Sequence, residues 1–189
     1  MQSIRSFIAI PLSNPIRRHA VRLVSQLGQA GDGVKWVPTD NLHLTLKFLG
    51  DVANTEVPQI CNLMRTVCDS YEPFDLSFAK VGGFPELERA RVVYVGIEDP
   101  SGKLRSLVAD LEASLADLGF KPEPRDYVPH LTLGRTRGGS RRIAADVISR
   151  IEQQREVVLG EMVVENMQLI ASFLDKKGPS YQSMDTIEL

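Results

Sequence analysis

Asn41-Leu42-His43-Leu44-Thr45-Leu46-Lys47-Phe48-Leu49-Gly50 and Pro129-His130-Leu131-Thr132-Leu133-Gly134-Arg135 contain one tetrapeptide twice, His-Leu-Thr-Leu, 87 residues apart. Strict alternation of apolar and polar residues predicts strands, in which side chains at i and i+2 share a face. Each copy then sets an imidazole beside a hydroxyl on one face and sends two leucines into the core from the other. A one-residue slip would bury the histidine and expose the leucines, so the leucines fix the register. Two such strands facing each other make a pocket with two imidazoles and two hydroxyls.

Around these strands the chain reads as a mixture. Ser6–Ile10 is a short apolar strand ended by Pro11, and Asn14 is the expected N-cap of a helix with Pro15 at its first position. Ile16, Ala20, Leu23, Val24 and Leu27 keep helical spacing up to Gly28. A loop with Gly31, Asp32 and Gly33 leads to Val34–Val37, and Pro38 then breaks the chain. Val57, Ile60, Cys61, Met64, Val67, Cys68 and Tyr71 trace the clearest helical stripe. Strands are expected near 74–81 and 91–97, with Gly82-Gly83-Phe84-Pro85 as the turn between them. Helices carry Leu104–Leu118 and Ile143–Ile151, and late strands fill 157–174 and 181–189. About four helices and seven or eight strands in irregular order favour α+β over a doubly wound parallel sheet.

Composition narrows the class. The chain has 189 residues, 22 Lys+Arg against 24 Asp+Glu, a formal charge of −2 and 43% hydrophobic residues. That excludes a disordered chain and argues against coating long nucleic acid by bulk charge. The length suits one domain, 1–189. Cys61 and Cys68 lie seven residues apart on the second helix, a rise of roughly 10.5 Å, too far for a disulfide. They read as reduced core residues. The amino terminus has no leader pattern and no apolar run reaches membrane-spanning length, so a cytoplasmic protein with no membrane contact is expected.

Only three histidines are present, and the duplicated motif takes two of them. His19, beside Arg17 and Arg18, has no companion motif and reads as a surface residue. Paired imidazoles suit in-line displacement at phosphorus. One deprotonates the attacking oxygen, the other protonates the leaving oxygen, and Thr45 and Thr132 donate to non-bridging oxygens. An imidazole pKa of about 6.5 lets one be neutral and the other charged near pH 7. Spacing does not say which is which. Metal catalysis would need a third ligand; Asp40 and Asp126 lie upstream of the histidines but in loops, and no clustered ligand motif occurs. No metal and no cofactor are expected.

Arg135, Arg137, Arg141 and Arg142 follow the second motif with no acid among them, and Arg135 is the best placed to meet substrate phosphate. Lys47 shares the alternation face of His43 and Thr45 and is expected to line the cleft. Phe7, Trp36 and Phe48 are candidates for stacking on bases. Phe48 falls on the leucine face, which favours core packing unless the strand twists.

These residues resemble the two-histidine phosphoesterase superfamily, and more narrowly the bacterial and archaeal RNA 2′,3′-cyclic phosphodiesterases, also called LigT-like 2′-5′ RNA ligases. The likeness includes Arg5-Ser6-Phe7-Ile8-Ala9-Ile10, Val34-Lys35-Trp36-Val37, Gly83-Phe84-Pro85, Ala90-Arg91-Val92-Val93-Tyr94 and Gly178-Pro179-Ser180-Tyr181 beside the two motifs. It implies a bilobal fold, with two interleaved pseudo-symmetric lobes whose antiparallel sheets face a central cleft. It also implies opening of 2′,3′-cyclic phosphate ends on RNA, including tRNA fragments, to 2′-phosphomonoesters, with His43 as proton donor and His130 as proton acceptor. The alternatives are 2′-5′ ligation of RNA halves by the reverse chemistry, or a non-catalytic module that binds RNA ends. A monomer is the default for a self-contained cleft.

Overall fold

The computed structural model describes residues 2–29, 31–136, 143–175 and 178–189. Arg137, Arg141 and Arg142 lie outside the described residues. β1 (Ser3–Pro11) leads into α1 (Asn14–Leu27), β2 (Val34–Trp36), β3 (His43–Ala53), α2 (Val57–Cys68) and β4 (Phe74–Phe84). Then come β5 (Val92–Glu98), α3 (Lys103–Asp117), β6 (His130–Thr136), α4 (Ala145–Gln153), β7 (Val158–Val164), β8 (Asn166–Asp175) and β9 (Gly178–Glu188).

The α+β reading holds, with local corrections. The N-cap of α1 is Ser13, whose hydroxyl accepts from the Ile16 N–H, and not Asn14. Gly28 ends α1 in an extended conformation. It is needed for space, since a Cβ there would lie 2.8 Å from the Trp36 Nε1. Gly82-Gly83-Phe84 is strand rather than turn. These residues pair with Tyr94, Val93 and Val92, and a Cβ on Gly82 would meet the Tyr94 hydroxyl at 3.1 Å. Cys61 and Cys68 are free and buried, and burial pushes both thiols up to about 11. No described helix is long and apolar enough to cross a membrane.

Two antiparallel sheets form, in the orders β3-β1-β8-β9 and β2-β6-β5-β4-β7. Strand for strand, β3, β1, β8 and β9 correspond to β6, β5, β4 and β7. Helices α2 and α3 pack together and lie against β9 and β3, while α1 and α4 pack together against β7 and β4. The chain therefore crosses between lobes twice in the same way. α1 follows β1 of the first sheet but packs on the second, and α3 follows β5 of the second but packs on the first. The helices cover the leucine faces of the motif strands, where Leu44, Leu46, Leu131 and Leu133 are buried. That leaves the histidine faces to the cleft, and β3 and β6 touch each other there.

Both motif strands carry the same irregularity. Along β1, Ile8 pairs with Lys47 and Ala9 with Thr45, skipping Leu46; along β5, Val93 pairs with Gly134 and Tyr94 with Thr132, skipping Leu133. An extra residue on one strand reverses the alternation beyond it. Lys47 and Gly134 therefore turn inward, and Phe48 and Arg135 turn toward the cleft. The lobes differ at one edge. β2 caps β6, with Lys35 opposite Arg135. In the other lobe the corresponding segment, 87 residues on, is Lys121-Pro122-Glu123, which forms no strand on β3. Pro122 and Pro124 have no N–H for a ladder, and an open groove runs between this segment and Phe48–Asp51.

Candidate active site

Each motif histidine is the first residue of its strand and is held by the backbone two residues before it. The His43 Nδ1 lies 2.6 Å from the Asn41 carbonyl and the His130 Nδ1 lies 2.7 Å from the Val128 carbonyl. A carbonyl can only accept, so Nδ1 carries the hydrogen in both rings. Each Nε2 is left to exchange a proton with whatever occupies the cleft. Asn41 is itself buried and donates its amide to the Pro179 carbonyl at 2.7 Å, which ties the first motif to β9. Thr45 and Thr132 lie on the histidine side of their strands and are only partly buried. The backbone carbonyl of Thr45 accepts the Tyr127 hydroxyl at 3.1 Å, which links the segment before β6 to β3.

The two imidazoles sit in unequal surroundings. His43 has Phe7 at 4.7 Å and Tyr181 edge-on at 5.3 Å between ring centroids. Burial pushes its pKa down to about 4; the Asn41 carbonyl works against this, and the charges of Arg135 and Arg17 add to the depression. Free His43 is therefore neutral at pH 7. His130 has one aromatic neighbour among the described ring contacts, Tyr94, at 5.9 Å. The Tyr181 hydroxyl is raised by burial and partly drawn back by Arg135 and Arg5. Arg135 is thus near enough to both His43 and Tyr181 for its charge to be felt.

The remaining candidates divide. Arg135 is exposed, and the bulge at Leu133 turns it to the cleft side. Phe48 is also on that side and 56% exposed, so the bulge at Leu46 overturns its expected core packing. The same bulge removes Lys47 from the cleft. Lys47 is 3% exposed, with its Nζ 2.8 Å from Glu112 on α3 and 2.8 Å from the Lys121 carbonyl. Phe7 is 3% exposed and packs with Ala9, Ile170 and Tyr181 beneath His43, so it is a floor for the imidazole and not a free stacking plate. Trp36 is not a stacking plate either. Its Nε1–H donates to Asp32 at 2.7 Å and its ring packs on the core and against Gly134. Burial alone would raise the Asp32 carboxyl, but donors from Gln29, Trp36 and Val34, with the charge of Arg150, hold it below the usual range. His19 is exposed, as expected, with its Nδ1 2.5 Å from the Leu159 carbonyl.

Residues that sequence reasoning gave no role are Asn41, Arg17, Lys35, Tyr94 and Tyr181. Arg17 donates to the Thr39 carbonyl at 3.0 Å from α1. Tyr181 reaches His43 from the far end of the chain. Neither has a periodic or spacing signal; Asn41, two residues before His43 in the first motif stretch, is the one an offset could have found.

A duplicated α+β architecture with a His-x-Thr pair from each half on one cleft defines the class to which the molecule belongs. The family model described as LigT like Phosphoesterase matches twice, over residues 10–94 and 95–181, one match per motif. A Methanothermobacter thermautotrophicus protein named RNA 2′,3′-cyclic phosphodiesterase is 38% identical over 98% of this chain and 99% of its own. An Archaeoglobus fulgidus protein of the same name is 32% identical over 98% of this chain and 100% of its own. Among solved structures, TT0787 of Thermus thermophilus matches with a TM-score of 0.82 at 27% identity, covering 98% of each chain. E. coli LigT, solved with 3′-AMP, matches in fold with a TM-score of 0.78 at 24% identity, covering 100% of this chain and 99% of its own. The chain belongs to the LigT-like phosphoesterase family.

Proposed function

We infer that the protein opens 2′,3′-cyclic phosphates at RNA ends, tRNA fragments among them, to 2′-phosphomonoesters, with His43 and His130 exchanging the protons and no metal required. The observation that carries this reading is the pair of Nδ1–H bonds to backbone carbonyls, which leaves one free Nε2 per histidine beside a threonine hydroxyl. Two imidazoles suffice for both proton transfers of an in-line displacement. His130 Nε2 takes a proton from water as the water oxygen bonds to phosphorus. The P–O3′ bond breaks, and His43 Nε2–H delivers its proton to O3′ while the P–O2′ bond stays. Thr45, Thr132 and Arg135 hold the non-bridging oxygens.

His43 is neutral in the free protein, so this role requires it to gain a proton with the substrate. The phosphate anion supplies the reason: it offsets the charge of Arg135 and favours the imidazolium. The 189 residues work as one catalytic domain under this reading, because each lobe contributes half of the site.

The test is turnover of an oligoribonucleotide ending in a 2′,3′-cyclic phosphate, in excess EDTA. A 2′-phosphate product is expected, with His43→Ala and His130→Ala each lowering kcat by roughly 10²–10⁴-fold. Full activity in either variant, or no product from the wild type, defeats the reading.

A further inference from the structure

Each motif histidine is oriented by a carbonyl two residues before it, and the segment carrying that carbonyl is fastened to the motif strand of the other lobe. Residues 34–41 precede His43. They start as β2, paired with β6, and the Val37 N–H donates to the Leu133 carbonyl at 2.8 Å. Residues 121–129 precede His130 and contain no helix or strand. Their attachments run to β3. The Lys47 ammonium donates to the Lys121 carbonyl at 2.8 Å, and the Tyr127 hydroxyl donates to the Thr45 carbonyl at 3.1 Å. The Val128 carbonyl, 2.7 Å from His130 Nδ1, comes next in the chain. The Val128 side chain is 64% exposed and anchors nothing, whereas its counterpart Asn41 is buried and bonded to Pro179.

The two fastenings are equivalent in place and different in kind. Lys47 and Gly134 each stand four residues after their histidine, turned inward by a bulge. Gly134 lets β2 close up as a ladder, with Trp36 opposite. Lys121-Pro122-Glu123-Pro124 forms no ladder on β3, because two of its residues have no N–H. The Lys47 Nζ takes the place of that ladder. It lies 2.8 Å from both Glu112 oxygens and 3.8 Å from Glu123, and Glu112 also accepts the Glu123 N–H at 3.3 Å. The Lys47 side chain is 2% exposed, so its charge depends on these partners and holds them where they are.

We propose that Lys47 is a positioning residue for His130. Through Lys121 and Glu123 it holds residues 121–128 against β3, so that the Val128 carbonyl receives the His130 Nδ1–H and the first motif strand orients the histidine of the second. The proposal rests on His130 acting as the proton acceptor. That role needs a bare Nε2, and in the neutral ring Nε2 is bare only while Nδ1 keeps the hydrogen. A free imidazole in water prefers its hydrogen on Nε2. A segment that drifts from β3 therefore leaves His130 in the tautomer that cannot take a proton from water.

Lys47→Met combined with Glu112→Gln tests this, since the pair removes the cation and its main carboxylate together. Nitrogen-15 NMR reads the tautomer of each histidine at about pH 8.5, above the ordinary imidazole range. In the double variant His130 should move toward the Nε2–H form while His43 keeps Nδ1–H. On the oligoribonucleotide ending in a cyclic phosphate, kcat should fall roughly tenfold to a hundredfold, with KM changed less than about twofold. Added to His130→Ala, the same pair should cost nothing further. A His130 ring that stays wholly in the Nδ1–H form, an equal change in both rings, or a wild-type kcat overturns the proposal. Where the double variant does not fold, Glu112→Gln alone should give a smaller shift confined to His130, and no shift overturns it. A wild type that turns over no cyclic phosphate defeats the phosphodiesterase reading, while the NMR result still decides whether Lys47 orients His130.

Discussion

His43 takes on a much lower proton affinity when the chain folds, from 6.5 to about 4, chiefly through burial. The sign of the consequence is definite. Between those two values the unfolded chain binds a proton that the folded chain refuses, so stability present above pH 6.5 drains away as pH falls toward 4. The full difference corresponds to about 3 kcal/mol. In urea unfolding at pH 7.5 and pH 4, wild type should therefore lose about 3 kcal/mol more than His43→Gln, which carries no such proton. Equal losses in the two proteins would mean that His43 is not held neutral by its surroundings. Lys47 shows the opposite side of residue-scale reading. Its alternation placed it beside His43, yet its ammonium is buried between Glu112 and the Lys121 carbonyl. A buried cation of this kind is a structural tie between β3 and the α3 side of its lobe, and no pattern within β3 discloses that partner.

The motif strands show how much one extra residue changes. Up to Leu46 and Leu133 the alternation in the sequence describes both strands correctly, because the leucines must face the helices. Beyond the bulge it is wrong by one, and that is where Lys47, Phe48 and Arg135 acquire their places. The residue that turns inward is accommodated differently in the two sheets. Lys47 finds a carboxylate, whereas Gly134 makes room for β2. A Cβ at Gly134 would stand 2.6 Å from Val34 Cγ1 and 3.0 Å from the Trp36 ring, which Asp32 holds in place. Gly134→Ala should destabilise the fold by about 1–3 kcal/mol through overpacking, read as a lowered urea midpoint with unchanged m value. A shift below about 0.5 kcal/mol would show that β2 yields freely, contrary to the packing of Val34 and Trp36.

On the scale of the whole molecule, the cleft depends on two lobes whose helices are exchanged through the chain and whose motif strands meet. Tyr127 is part of that join. Its hydroxyl reaches the Thr45 carbonyl of the first motif, and its own carbonyl accepts from Arg105 on α3 at 3.3 Å. Tyr127→Phe removes one hydrogen bond while keeping the ring, so a loss of about 1 kcal/mol in unfolding free energy is expected. A severalfold fall in kcat/KM should accompany it, since in the proposed mechanism Thr45 holds the phosphate. A variant with wild-type stability and wild-type kcat/KM would show that this contact does not position the first motif. The sequence by itself determined the α+β class, the core faces of the strands and helices, and the two His-x-Thr pairs, because periodicity and local duplication are properties of neighbouring residues. Only the tertiary structure decided that Lys47, Phe7 and Trp36 belong to the scaffold, that Phe48 and Arg135 occupy equivalent places on the cleft, and that Arg17, Tyr181 and Lys35 stand near the site. Those outcomes follow from a bulge, a missing edge strand and contacts between residues on separate elements of the chain, and the free energy that selects them comes from packing between elements, which no single stretch of sequence contains.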